Sequence, residues 1–171
     1  SYNSQYAHAL TDTATAWDVS TGSVNVAVAV VDTGVNGLHP DLAPNMIDGY
    51  DCVSNTGIDG VSNSDQDGHG THVAGIAAAR GNNGTGVAGV AWSCKIMPVK
   101  VLDADGRGTA ADVAQGIAWA ATNSGGRRMV INLSLGSAGF SQIIQDAVLF
   151  AMQENAVIVA AMGNDSQHKV K

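Results

Sequence analysis

Charge is scarce in this chain. Asp, Glu, Lys and Arg make up 13% of its 171 residues, where a soluble domain ordinarily carries roughly 25%. Lys and Arg number 8 against 15 Asp and Glu, which leaves a net charge of −7. Phosphate binding needs clustered cations, so no nucleic-acid partner is expected. Long apolar runs are missing too. None reaches the ~18 residues of a membrane span, so no membrane partner is expected. Cysteine is reduced to Cys52 and Cys94, whose spacing fits no zinc pattern. Three readings of that pair stand open: one disulfide, two buried thiols, or pairing with cysteines elsewhere. Repeats, linkers and low-complexity stretches are absent. The chain opens on Ser1 rather than Met and carries no signal-like segment, so a processed mature form is expected.

What is plentiful is apolar. Hydrophobic residues are 45% of the chain, enough for one domain with a large core. The 21 glycines imply tight turns and close helix–strand contacts.

The periodicity alternates between strand and helix. Ala7, Leu10, Ala14 and Trp17 recur at helical intervals, which predicts a helix over 6–18. Asn25 to Val31 is a continuous β-branched and alanine run, the signature of a strand buried on both faces of a parallel sheet. Further strands are expected over 46–51, 95–102, 129–133 and 156–161. Helices are expected from His69 to about Arg80, over 109–122 with a cap at Thr109 or Gly108, and over 141–154. Residues 52–68 read as a polar loop. This alternation predicts an α/β three-layer sandwich with a mostly parallel sheet and helices on both faces.

Three residues sit where such a fold does chemistry. Asp32 ends the first strand, at the sheet edge where open parallel sheets bind ligands. His69 opens a helix within Asp67-Gly68-His69-Gly70-Thr71-His72-Val73-Ala74-Gly75. Asn164 follows the strand ending in Ala160-Ala161-Met162-Gly163. An Asp beside a His can orient the imidazole and stabilise its cation. An Asn amide can donate to a developing oxyanion. Taken singly, each also reads as an ordinary turn or helix-cap residue.

Taken in order, the motifs are more specific. Val30-Val31-Asp32-Thr33-Gly34, His39-Pro40-Asp41-Leu42, His69-Gly70-Thr71-His72-Val73-Ala74-Gly75, Ile131-Asn132-Leu133-Ser134-Leu135-Gly136 and Ala161-Met162-Gly163-Asn164 resemble those of the subtilisin-like serine proteases, the subtilases. The resemblance runs over nearly the whole chain and implies a subtilisin-like fold. It implies Asp32 as orienting acid, His69 as general base and Asn164 as oxyanion donor. His72 becomes a structural histidine packed along the helix. Ser134, Leu135 and Gly136 resemble one substrate-pairing strand, and Gly106, Arg107 and Gly108 the opposite one, so protein or peptide substrates are implied. A structural calcium is implied at Asp41, Asn83, Thr85 and Val87, the last two through backbone oxygen. Tyr2 stands where an N-terminal amide side chain often contributes. A second calcium at Asp59, Asp65 and Asp67 competes with a solvated acidic loop. The expected location is extracellular.

The departure is the nucleophile. The family carries it in a Gly-Thr-Ser-Met-Ala-type motif downstream of the Asn motif, and these 171 residues contain none. The expectation is that residues 1–171 are the N-terminal part of one catalytic domain. The C-terminal part, with the serine, would then lie on a second polypeptide, and this chain alone would be inactive. Ser134 lies inside a substrate-strand motif and receives no nucleophilic role. Met162 replaces a smaller residue and is expected to crowd or shape the specificity pocket.

Three alternatives compete. Val-Asp-Thr-Gly is also an aspartic-protease signature, but that class is all-β. His69-x-x-His72 offers two metal ligands on one helix face, without a Glu between them or a third ligand nearby. A peptide-gripping pseudo-protease is consistent with the missing serine.

Overall fold

A computed structural model describes residues 5–136 and 139–164. Six strands form one sheet: β1 (Val26–Asp32), β2 (Gly49–Asp51), β3 (Thr56–Ile58), β4 (Lys95–Lys100), β5 (Arg128–Leu133) and β6 (Val157–Ala160). Their order is β3-β2-β4-β1-β5-β6. All pairings are parallel except β2 with β3. β2 falls within the strand expected over 46–51, whereas β3 lies inside 52–68, the stretch expected to be loop. β3 is only Thr-Gly-Ile, too short to show an alternation.

Helices cover both faces. The core on one face joins Ala27, Ala29 and Val31 of β1 to Ile117 and Ala120 of α4 (Ala110–Thr122) and Ala147 and Ala151 of α5 (Gln142–Gln153). On the other face Val28, Val30 and Ile96 pack against Ala74 and Ala78 of α3 (His69–Ala78). β1 therefore presents both its side-chain rows to apolar partners, which is why its sequence shows no polar alternation. Gly116 lets α4 approach β4, since a Cβ there would stand 2.5 Å from a Val101 methyl. Thr109 caps α4 in a reciprocal box with Asp112.

Pro98 occupies a central strand without loss of a ladder bond. Ile47 N–H donates to Ile96 C=O and Cys52 N–H to Lys100 C=O, so those β4 residues face β2. Pro98, between them in the alternation, faces the same side, where β2 pairs only with Val99 and Lys100.

The predicted helix over 6–18 is two five-residue helices, α1 (Tyr6–Leu10) and α2 (Thr13–Trp17). Asp12 between them has φ +51° and accepts from the Thr15 hydroxyl. Thr11 and Thr13 pair their hydroxyls at 2.6 Å. Local side-chain bonds have outcompeted a continuous helix.

The two thiols sit in cores on opposite faces of the sheet, Cys52 with α4 and Cys94 with α3, and both are free. The cysteine question thus resolves to two buried thiols.

Candidate active site

β1 changes neighbours at the centre of the sheet. β4 lies on one side and β5 on the other, and both run parallel to it. Their C-terminal ends open a crevice above Asp32. The chain leaving β4 reaches Gly106–Gly108, and the chain leaving β5 reaches Ser134–Gly136. Both segments line one cleft together with His69, Thr33 and Asp67. Asp103 shapes the first segment. Its carboxylate accepts from Asp105 N–H at 2.9 Å and Arg107 N–H at 3.0 Å, and Gly106 takes φ +70°. Those backbone bonds hold the Asp103 carboxyl below the usual range.

Asp32 has no solvent exposure, whereas the His69 side chain is 48% exposed. His69 Nδ1 lies 2.7 Å from Asp32 Oδ1. The same oxygen accepts from Thr33 N–H at 2.7 Å, and the buried Oδ2 has no hydrogen-bond partner among the described residues. The Asp32 hydrogen bond holds the His69 pKa above its usual value of 6.5. Burial opposes that rise, while the charges of Asp32, Asp67 and Asp65 add to it. His69 begins α3 after Gly68, whose φ of +106° turns the chain into the helix. The Asp67 carboxylate accepts from His69 N–H at 3.0 Å. Gly70 makes the approach possible, because a Cβ there would lie 2.1 Å from Gly34 C=O and 3.1 Å from Asp32 Cβ.

Other named residues are placed less tightly. Asn164 is exposed beyond β6 and is not among the residues lining the cleft. Met162 is 91% exposed and likewise outside it. Ser134 Oγ accepts from Asn132 Nδ2 at 2.9 Å and makes no bond to His69. His72 is exposed rather than packed, along a groove with His39 and Tyr6. His69 lines the other cleft, and Asp32 engages its Nδ1.

Asp41, Asn83, Thr85 and Val87 converge on one loop. The buried Asp41 carboxylate accepts from Asn83 Nδ2 at 2.7 Å and Val87 N–H at 2.8 Å. Thr85 N–H donates to Asn83 Oδ1 at 3.1 Å. Gly86 lets the loop close, since its Cβ would stand 2.3 Å from Asp41 Oδ2. A carboxylate, a carboxamide and backbone carbonyls are oxygen donors of the type calcium takes. Tyr2 lies outside the described residues. Instead Gln5 reaches this loop and pairs its amide with both backbone groups of Ala88. In the second acidic loop, Asp59 and Asp67 accept local backbone N–H groups and Asp65 is saturated by donors. No cluster of three or more His, Cys, Asp or Glu suited to a metal exists among the described residues.

Sequence reasoning passed over Thr33, Lys100 and the structural use of Asp65. Lys100 is buried and its ammonium donates to the Thr33 and Leu102 carbonyls at 2.7 and 2.8 Å. The β1–β4 register sets it beside Asp32, and no pattern in the sequence marked that contact.

A mostly parallel α/β sheet with an acid–imidazole pair at its switch-point crevice defines a class of site seen in hydrolases. The chain belongs to the Subtilase family (Peptidase S8), whose model matches residues 23–171. It is 47% identical over 161 residues to the Thermophilic serine proteinase of Bacillus sp. (strain AK1), covering 94% of this chain and 38% of that protein. Thermitase of Thermoactinomyces vulgaris is 46% identical over 149 residues, covering 87% and 50% respectively. The Minor extracellular protease Epr of Bacillus subtilis (strain 168) is 40% identical over 154 residues, covering 90% and 22%. Among solved structures, Sphericase superposes with a TM-score of 0.79 at 39% identity, covering 86% of this chain and 49% of that one. The chain thus spans half or less of the length of these proteins. No helix among the described residues is long and apolar enough to cross a membrane.

Proposed function

We propose that the protein is a serine endopeptidase acting on extended segments of protein substrates. Asp32 orients the imidazole, His69 is the general base and Asn164 donates to the oxyanion. The serine hydroxyl comes from sequence beyond these 171 residues. As its oxygen bonds to the scissile carbonyl carbon, His69 takes the hydroxyl proton and later hands it to the leaving amine. Asp32 stays ionised and stabilises the imidazolium. Gly106–Gly108 and Ser134–Gly136 pair with the substrate backbone from both sides, which selects extended chain. Asp41, Asn83, Thr85 and Val87 would hold a structural calcium, which would tie the loop to the body of the fold. Extracellular location is proposed with it, in line with the name of the Epr relative.

The 2.7 Å contact between His69 Nδ1 and Asp32 carries this reading, because it leaves the half-exposed imidazole facing the cleft. Labelling the protein with a fluorophosphonate and mapping the adduct tests it. The expected adduct is on a serine outside residues 1–171 and disappears in His69→Ala. An adduct that survives His69→Ala would refute the assignment.

A second reading is a peptide-binding protein that does not cut. It is favoured by one observation: among the described residues no hydroxyl hydrogen-bonds to His69. Absence of any adduct, with peptide binding retained, would establish it.

A further inference from the structure

Thr33 stands at a crossing of bonds next to the acid–imidazole pair. Its N–H donates to Asp32 Oδ1 at 2.7 Å. Its hydroxyl donates to Asp65 Oδ1 at 2.8 Å and accepts from Gly70 N–H at 2.9 Å. Both Thr33 and Asp65 are buried. Asp65 in turn gathers the start of α3. Its Oδ1 accepts from Asp67 N–H at 3.1 Å and Gly68 N–H at 2.9 Å. Its Oδ2 accepts from Thr71 N–H at 2.9 Å and from the Thr71 hydroxyl. Gly68, at the cap position, has no side chain for the first-turn donors, which Asp67, Thr33 and Asp65 take instead, from His69, Gly70 and Thr71 N–H respectively.

We propose that Thr33 and Asp65 are positioning residues for His69, pinning the first turn of α3 to the exit of β1 so that Nδ1 stays on Asp32. The bonds form a closed loop. His69 and Gly70 are consecutive; Gly70 is tied to Thr33; Thr33 is tied to the same Asp32 oxygen that takes His69. A rotation of α3 that carried the imidazole away would have to break the Gly70–Thr33 bond and strip donors from a buried carboxylate. Leaving buried charged groups without donors is costly. No other side chain among the described residues bonds the His69 ring, so this clamp is what aims it. The usefulness of the clamp rests on His69 serving as a base, but the clamp itself is a statement about the Asp32–His69 bond.

The charges facing the imidazole are Asp32, Asp65 and Asp67, which favour its cation, and Arg107 across the cleft and Lys100 behind Thr33, which oppose it. Thr33→Val alters none of them. It removes the hydroxyl at similar volume, so a change in the His69 titration reports geometry rather than charge.

The experiment is imidazole 15N–1H NMR on the intact protein. In the wild type the Nδ1 proton of His69 is protected from exchange and observable. In Thr33→Val that resonance is lost and the His69 midpoint moves to lower pH, while in Thr33→Ser both stay as in the wild type. Asp65→Asn changes charge and is read by the Nδ1 proton alone, which is lost. A folded Thr33→Val protein with an unmoved midpoint and an intact Nδ1 resonance would overturn the proposal, as would a Thr33→Ser protein that behaves like the valine variant. If Thr33→Val does not fold, a folded Asp65→Asn protein that keeps the resonance overturns it instead. None of these signals depends on cleavage, so loss of the endopeptidase reading would leave them interpretable.

Discussion

His69 Nδ1 meets Asp32 Oδ1 at 2.7 Å across the boundary between core and solvent. The acid is sealed from water and the imidazole is half open to the cleft. The arrangement fixes one ring nitrogen and leaves the other free to exchange a proton with a substrate-side group.

Replacing His69 by Ala in the protein together with its nucleophile should lower kcat by about 10²–10⁴-fold, the usual worth of a positioned general base. Binding of a non-cleavable peptide should persist, since the substrate contacts proposed for the flanking segments are made by backbone and not by the imidazole. Steady-state kinetics and a peptide titration check this pair of outcomes, and unchanged kcat would remove His69 from the mechanism.

A base must be neutral to accept a proton. With the His69 pKa held above 6.5 by Asp32, cleavage should rise as pH climbs through that raised value and fall away below it. Asp32→Asn should move this acid limb to lower pH while reducing the plateau. Stability carries the opposite sign. The raised pKa means the bond favours the folded protonated state, so its contribution is complete below pH 6.5 and is lost as pH rises through the folded value. Profiles of kcat/KM and of thermal unfolding against pH separate the two effects.

Gly70→Ala should damage the site from behind. The added methyl would stand 2.1 Å from Gly34 C=O, a backbone atom with little room to move. Overpacking of this kind costs about 1–3 kcal/mol, and here the displacement pushes α3 off Asp32. Urea unfolding should show the loss, with the His69 titration moving toward its ordinary midpoint. Gly75→Ala, which meets nothing within 4 Å, is the matched control.

The two cysteines should be silent in the folded protein. Both are buried, and burial, followed by the charges of Asp112 and Asp51, pushes the Cys52 thiol up to about 12. A thiol-reactive chromophore at neutral pH should therefore label neither until denaturant is added, and then both. Rapid native labelling of Cys52 would show that the α4–β4 contact opens.

Calcium bound at the Asp41 loop should add about 2.7 kcal/mol of stability at a hundredfold excess over Kd, and raise the unfolding midpoint accordingly. Asp41→Asn should abolish that response. A midpoint indifferent to both calcium and chelator would dispose of the site.

Much of this was readable because local chemistry and tertiary role coincide. The buried run Val26–Val31 had no polar face to disguise it, and α4 began at Thr109, one of the two cap residues expected there. Asp32 and His69 stood at a strand end and a helix start, the two places from which a parallel sheet assembles sites. The failures share a cause as well. The N-terminal helix divides because Thr11, Asp12 and Thr13 satisfy one another locally, and β3 forms only because β2 lies beside it. His72 shares a motif with His69, yet it is exposed along a different groove.

By itself the sequence determined the alternation of the longer strands and helices, the two-sided burial of β1 and the residue types at the sheet's edge. Those depend on side-chain periodicity and short-range hydrogen bonds, which any local stretch carries with it. Only the tertiary structure decided that Asp65, 32 residues from Thr33 in the chain, shares a bond with its hydroxyl, and that Lys100 backs the same turn. Such contacts arise when separate strand exits converge, and no local pattern encodes a distance between residues that meet only after the sheet has formed.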